Sequence, residues 1–276
     1  MESTQELRQA LQDIERWEHE QKDLWFWEKI GRLPFQLLDR FTPKALSSKI
    51  GEALDELGHY VQAGGKYLVA EQGTLQQLKT ASGWKPREDE EARELTIGDV
   101  AGFPLRVMEQ VADELIRSRS NLATLQGATT GIGGLLTLAI DIPAVLGLSL
   151  KTIQEIAICY GYDPKEKQER IFTIKCLQFA SSDIVGKKAI LDELAAYATV
   201  DKANRQMMSQ LQGWREVFAT YRDNWGWKKL FQLIPIAGML FGAWINRGTL
   251  NDVGEAAHKL YRKRRILERL GAQTEG

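Results

Sequence analysis

Residues 122–150 read LATLQGATTGIGGLLTLAIDIPAVLGLSL, 29 residues in which Asp141 is the single charged side chain. Pro143 follows two positions later. Because proline lacks a backbone N–H and its ring clashes with the preceding helical turn, we expect a break near Asp141, which makes the segment a helical hairpin or a sharply kinked pair of helices. The glycine content is too high for an ordinary surface helix. The glycines are Gly127, Gly131, Gly133, Gly134 and Gly147.

A second uncharged stretch, residues 230–246, contains Pro235 and two more glycines. Small residues four positions apart allow two helix backbones to approach closely. Both stretches have this spacing, because Gly127 is followed by Gly131 and Gly238 by Gly242. We therefore predict that the two stretches pack against each other through these glycines.

The hydropathy of residues 132–150 leaves open whether this unit lies in protein or in lipid. Its ten large aliphatic residues contribute about −5 kcal/mol to membrane insertion, whereas Asp141 opposes insertion by about 3 kcal/mol. Pro143, the glycines and Ser149 reduce the remaining favourable free energy, so the total free energy of membrane insertion is close to zero. A buried core, a hairpin that dips into the membrane interface and a spanning helix all remain possible interpretations.

Two groups of residues are candidates for contact with a membrane surface. Tryptophan and lysine before an apolar stretch are typical of an interfacial anchor, and a basic cluster near the C-terminus attracts anionic headgroups. Tryptophans in the core and a solvated helix face are the alternative interpretations. The candidates are Trp225, Trp227, Lys228, Lys229, Arg262, Lys263, Arg264 and Arg265.

The remaining sequence predicts helices throughout, and thus an all-α, multi-helix bundle with a central glycine-rich apolar hairpin. Capping boxes begin helices at Ser3 and Thr96, and Gly161 is placed to end one. No stretch alternates apolar and polar residues as a half-buried strand does. The polar residues 72–89 predict a loop. We divide the chain into an N-terminal helical region, a linker and a main helical domain, at residues 1–72, 73–95 and 96–276.

Composition excludes several classes of protein. The 36 basic and 37 acidic residues give a net charge of −1, so we expect no nucleic-acid partner. Two cysteines, Cys159 and Cys176, do not form a disulfide framework and fit a reducing compartment. The first residues lack the features of a secretory signal, which predicts a cytoplasmic location.

No group of residues specifies a reaction. The three histidines, His19, His59 and His258, lack metal-ligand spacing, so we expect no metal and no cofactor. Residues 127–134 lack the lysine of a phosphate loop. The remaining candidates for a polar site are Asp141, Tyr160 and Asp163, although an acid before a proline, such as Asp163, usually caps a helix.

Several motifs together resemble the central signature of the EcsC protein family. The similarity extends from the helix around Trp17 to the helix of residues 256–264. The resemblance implies a bacterial, helical protein without an established activity, whose family takes its name from a gene set that also encodes an ABC transporter. It implies a cytoplasmic or membrane-associated accessory role and no catalytic residues. The motifs are Gly127-Ala-Thr-Thr-Gly-Ile-Gly-Gly134, Asp141-Ile-Pro143, Ile153-Gln-Glu-Ile-Ala157 and Tyr160-Gly-Tyr-Asp163.

These observations favour a non-enzymatic accessory protein that associates peripherally with the inner face of the cell membrane, through anionic lipid or a membrane protein complex. The second hypothesis is a soluble helical protein with an apolar pocket, which binds a lipid-like ligand or carries an unrecognised enzymatic site near Asp141. A third is an oligomeric or partner-binding scaffold. The sequence leaves the oligomeric state open.

Overall fold

The computed structural model describes residues 2–22, 59–86, 93–130, 135–181, 187, 190–192, 194 and 249–274, with the backbone path alone for residues 22, 66, 122–130, 135–145, 181 and 274. None of these residues is in a strand, which confirms the all-α class. A short 3-10 helix spans Gly65–Tyr67. The α-helices are α1 (Thr4–Lys22), α2 (Glu71–Ser82), α3 (Ile97–Val100), α4 (Leu105–Thr130), α5 (Leu135–Cys159), α6 (Lys167–Ser181) and α7 (Thr249–Thr274).

Local chemistry sets the ends of three helices as predicted. The Glu6 N–H donates to Ser3 Oγ at 3.3 Å, and the Ser3 N–H donates to Glu6 Oε2 at 2.7 Å. Thr96 and Asp99 form the same reciprocal capping box at the start of α3. At the end of α5, Gly161 has a φ of 77°, a left-handed conformation that favours glycine.

The C-terminal helix α7 is the centre of the described structure. It packs against α1, α4, α5 and α6, while α4 and α5 pack against each other and α2 covers both. Apolar residues of α7 contribute to a single core shared by these helices. They are Val253, Ala256, Ala257, Leu260, Tyr261 and Ile266, and the side chains of His258 and Arg265 are buried on the same helix.

Helices α4 and α7 run antiparallel and approach closely. Their contacts pair Glu109 with Arg262 and Ser120 with Asn251, so residue numbers rise along one helix as they fall along the other. Between these pairs Gly254 lies against α4, and a Cβ on this glycine would be 2.8 Å from Ile116 Cγ1. A larger residue at this position would force the Ile116 side chain, or the helices, to shift.

The prediction of a loop over residues 72–89 is wrong for its first part. Helix α2 occupies Glu71–Ser82 because Thr74, Leu75 and Leu78 form one buried stripe, which the surrounding polar residues mask in the sequence. Gly83 then ends the helix in a left-handed conformation. The division at residues 1–72, 73–95 and 96–276 stays a prediction.

The predicted break near Asp141 is also wrong. The backbone of α5 is helical from Leu135 to Cys159 and continues through Asp141 and Pro143. A proline inside a helix removes one backbone hydrogen bond and costs about 3 kcal/mol. The rest of this 25-residue helix offsets that cost, because residues such as Leu146, Leu150 and Ile153 are buried in the core. The glycine-rich hairpin itself stays a prediction.

Candidate functional site

The turn after α5 contacts both α7 and the segment that precedes α4. Arg265 on α7 donates from Nε and Nη2 to the Tyr160 carbonyl oxygen at 2.9 and 2.6 Å. At the next position, a Cβ on Gly161 would lie 2.7 Å from the backbone nitrogen of Ala101, which precedes α4. Glycine at residue 161 therefore meets two requirements at once, the positive φ and the close approach of a neighbouring backbone.

A half-buried cation lies beside this turn. The Arg264 guanidinium stacks on the Tyr162 ring at 4.1 Å and on the Phe172 ring at 5.2 Å. It also pairs with the Glu169 carboxylate on α6 at 2.8 Å. Burial raises the pKa of the Glu169 carboxyl, and the charge of Arg264 opposes that rise. The buried Glu169 carboxylate is thus paired with a guanidinium that stacks on two aromatic rings, and breaking this pair is costly.

The preceding motif, Ile153-Gln-Glu-Ile-Ala157, contributes two further connections. Gln154 is fully buried and donates from Nε2 to the carbonyl oxygens of Tyr67 and Leu150, at 2.8 and 2.9 Å. Glu155 accepts hydrogen bonds from Nε and Nη2 of Arg119 on α4, at 2.8 and 2.5 Å. Each polar side chain of the motif therefore fixes a neighbouring element to α5.

The basic cluster at residues 262–265 faces other helices. These side chains are between 10% and 25% exposed, so the interpretation as a solvated helix face is wrong. Their positions on α7 allow each to reach a carboxylate. Contact of these residues with lipid stays a prediction. The pairs are Arg262–Glu109 at 2.5 Å, Lys263–Glu18 at 2.8 Å, Arg264–Glu169 at 2.8 Å and Arg265–Glu268 at 2.8 Å.

The candidate polar residues occupy different environments. The Tyr160 hydroxyl is buried and has no hydrogen-bond partner among the described residues, and burial raises its pKa. Asp163 Oδ1 accepts the backbone N–H of Lys165 at 2.9 Å and stabilises a turn ahead of α6. Because α6 begins at Lys167, the expected helix cap at Asp163 is wrong. Asp141 is in the helical backbone of α5, and its side chain is not among those described.

A polar groove of about 490 Å³ lies between α4 and α7. Within it, His258 Nδ1 lies 3.3 Å from Asp113 Oδ1, and this interaction lowers the pKa of the Asp113 carboxyl. Among the described residues no group of histidine, cysteine and acidic side chains could hold a metal ion. Sequence reasoning missed the groove because its residues meet only through antiparallel helix packing. The lining residues are Glu109, Asp113, Ile116, Asn251, Glu255, His258, Lys259 and Arg262.

The first uncharged stretch begins and ends near the opposite end of the body, and the chain enters α7 there shortly after the second stretch. The Arg119–Glu155 pair joins α4 and α5 close to the two ends of residues 122–150. The Ser120 hydroxyl contacts Asn251, near the start of α7 and shortly after residues 230–246. Both uncharged stretches therefore connect to the same end of the helical body. We call it the apolar-stretch end, and the end that contains Tyr160, Gly161 and Tyr162 the signature end.

Several sequence candidates fall outside the described residues. Gly127 is in the helical backbone of α4 and Pro143 in that of α5. The predicted packing of the two uncharged stretches and the aromatic anchor before the second one stay predictions. The candidates outside the described part of the chain are Gly131, Gly133, Gly134, Gly238, Gly242, Trp225, Trp227, Lys228 and Lys229.

The described helices and the contacts at the two ends define an all-α bundle protein with a central C-terminal helix. The chain belongs to the EcsC protein family, whose sequence profile matches residues 8–266. It is 54% identical to the uncharacterized protein YdbA of Bacillus subtilis (strain 168), over 98% of this chain and 96% of that protein. It is 30% identical to Protein EcsC of the same organism, over 63% of this chain and 70% of that protein. No solved structure matches the chain.

Proposed function

We propose that this protein is a non-enzymatic accessory protein that associates peripherally with the cytoplasmic face of a bacterial membrane. The observation that carries the proposal is the connection of both uncharged stretches, residues 122–150 and 230–246, to one end of the helical body. A protein with two apolar segments at one end can dip both into the same lipid layer. The free, buried thiols of Cys159 and Cys176 are consistent with a reducing compartment.

The lengths of the helical arms favour partial insertion over crossing. Leu146 and Leu150 are buried in the core, so residues 122–145 are the part of the first uncharged stretch that remains for lipid contact. The helical residues 135–145 rise about 16 Å and residues 122–130 about 14 Å, whereas a hydrocarbon layer is about 30 Å thick. Within the described part of the chain, no helix has the length and apolar character that crossing a membrane requires.

Flotation with lipid vesicles tests the proposal. Purified protein should float with vesicles of phosphatidylcholine mixed with phosphatidylglycerol. If α5 contacts lipid near its start, Leu136→Ala and Leu138→Ala should each weaken vesicle partitioning about tenfold and leave the free energy of unfolding nearly unchanged. Leu150→Ala is the matched control, because Leu150 is fully buried and its truncation should lower the free energy of unfolding by about 2–5 kcal/mol.

Two results would contradict the proposal. Wild-type protein that stays in the soluble fraction with every vesicle composition would exclude a direct lipid contact. Leu136 and Leu138 variants that lose stability as Leu150→Ala does, and that still bind vesicles, would place the start of α5 in the protein core. The hypothesis of an internal apolar pocket near Asp141 would then be favoured. The groove between α4 and α7 is not that pocket, because it is lined mainly by charged side chains.

A further inference from the structure

We propose that Arg117 and Lys151 form the contact with anionic lipid headgroups, at the border between the helical body and residues 122–150. This inference rests on the proposed function, because it names the lipid chemistry that the apolar-stretch end recognises. Both side chains are exposed. Arg117 precedes the uncharged stretch by five residues, and Lys151 follows it directly. Exposed cations at this border would lie at the depth of the headgroups when the stretch enters the lipid.

The contacts between α4 and α5 fix these two cations to the same end of the body. Arg119 binds Glu155 through two hydrogen bonds. Lys151 lies one helical turn before Glu155, on the same face of α5. Arg117 lies two residues before Arg119, a rise of about 3 Å along α4. Arg117 and Lys151 are therefore within one to two helical turns of the Arg119–Glu155 ion pair, which joins α4 to α5.

Arg117 and Lys151 also lie on different sides of the helical body at this end. Residues two apart on a helix point about 200° apart, so Arg117 faces away from the side of α4 where Arg119 meets α5. Asp113, one turn before Arg117, confirms this direction because it lies in the groove toward α7. Lys151 is on α5. Two cations on separate sides can hold the body upright on a charged surface better than a single patch.

The carboxylates near this end interact with other groups. Arg119 occupies the Glu155 carboxylate. Asp113 pairs with His258, and the charge of Arg117 also acts on this carboxyl.

Arg117 and Lys151 differ from the basic cluster on α7 in their exposure. The cations at residues 262–265 lie within one turn of α7, are at most 25% exposed and pair with carboxylates. Arg117 and Lys151 are exposed, so a lipid surface at this end can reach them.

A pair of double variants tests this inference. In Arg117→Gln/Lys151→Gln, partitioning onto vesicles that contain phosphatidylglycerol should fall about 25-fold, because each cation near an anionic surface contributes about fivefold. The matched control is Arg8→Gln/Lys167→Gln, which removes the same charge from two exposed residues near the opposite, signature end. The control should partition like the wild type. Raising the salt concentration should weaken binding of the wild type more than binding of the Arg117/Lys151 variant.

Each outcome decides between the two proposals. If the wild type binds and the two double variants bind equally well, the headgroup assignment is wrong and the proposed function stands. If the wild type binds vesicles of phosphatidylcholine alone as tightly as mixed vesicles, the charge contact is likewise excluded. If the wild type binds neither, both proposals fail. Circular dichroism and thermal unfolding of both double variants establish that a loss of binding is not a loss of folding.

Discussion

The two ends of the helical bundle use the same residue types in opposite ways. At the signature end, Arg264 and Arg265 are turned inward, where they bind the Glu169 carboxylate and the Tyr160 carbonyl oxygen. At the apolar-stretch end, Arg117 and Lys151 are exposed. Arg264 and Arg265 are therefore structural connections, whereas Arg117 and Lys151 are, in our proposal, contacts with lipid. Substitutions at the two ends should separate stability from membrane binding.

Among substitutions that compare the two ends, the largest loss of stability is expected at Gly161. Gly161→Ala places a Cβ 2.7 Å from the Ala101 backbone nitrogen in a left-handed conformation, so the free energy of unfolding should fall by about 3 kcal/mol or more. Gly83→Ala is a matched control, since Gly83 also has a positive φ of 64° but has open space around it; its cost should be about 1 kcal/mol. Urea unfolding measures both. Equal losses would show that the contact with Ala101 is unimportant.

A smaller loss in the free energy of unfolding is expected when the planar guanidinium group of Arg265 is removed. Arg265→Lys keeps the charge, but a single ammonium group cannot reproduce the two hydrogen bonds to the Tyr160 carbonyl and the stacking on Tyr162 at 4.4 Å. We expect a loss of about 2 kcal/mol in the free energy of unfolding. Arg16→Lys, at a side chain that is 68% exposed, should change it by less than about 0.5 kcal/mol. A similar small effect at Arg265 would contradict the role of its planar group.

The signature end also shows which features the sequence can predict. The capping boxes at Ser3 and Thr96 and the positive φ of Gly161 were predictable, because each depends on residues a few positions apart. The inward direction of residues 262–265 was not, because it depends on carboxylates contributed by α1, α4 and α6 and, for Arg265, on the Tyr160 carbonyl oxygen. The same applies to Gly254, whose close approach to Ile116 exists only once α4 and α7 have packed.

At residues 135–159 we expected a break in the helix because proline weakens helices, and this expectation was wrong. Proline does weaken a helix, yet α5 continues through Pro143. The free energy of burying the later part of the helix outweighs the loss of one backbone hydrogen bond. Burial of this kind depends on the helices that surround α5, which no window of the sequence contains.

The capping box beside the signature end predicts a pH-dependent effect. Hydrogen bonds from Arg93, at 2.7 and 3.0 Å, lower the pKa of the Asp99 carboxyl below its ordinary value of 3.8, and Thr96 contributes to the shift. A lowered pKa means that the stability from Asp99 is fully present above pH 3.8 and is lost as the pH falls further. At neutral pH, Asp99→Asn should lower the free energy of unfolding by about 1 kcal/mol.

Chemical unfolding at several pH values measures this effect. The difference between the wild type and Asp99→Asn should shrink as the pH is lowered below the ordinary pKa of an aspartate. A difference that is the same at neutral and acidic pH would show that the carboxylate charge does not contribute, and that the substitution acts only through the geometry of the cap.

The smallest effect on stability is expected at the apolar-stretch end, at Lys151. Because this side chain is exposed, Lys151→Gln should change the free energy of unfolding by less than about 0.5 kcal/mol, and it should lower partitioning onto anionic vesicles about fivefold. Arg265→Lys should show the reverse pattern, with a large loss of stability and normal vesicle binding at temperatures where it is folded. If both variants lose stability and binding in parallel, the two ends are not independent, and the signature end must position the lipid contact through α5 and α7.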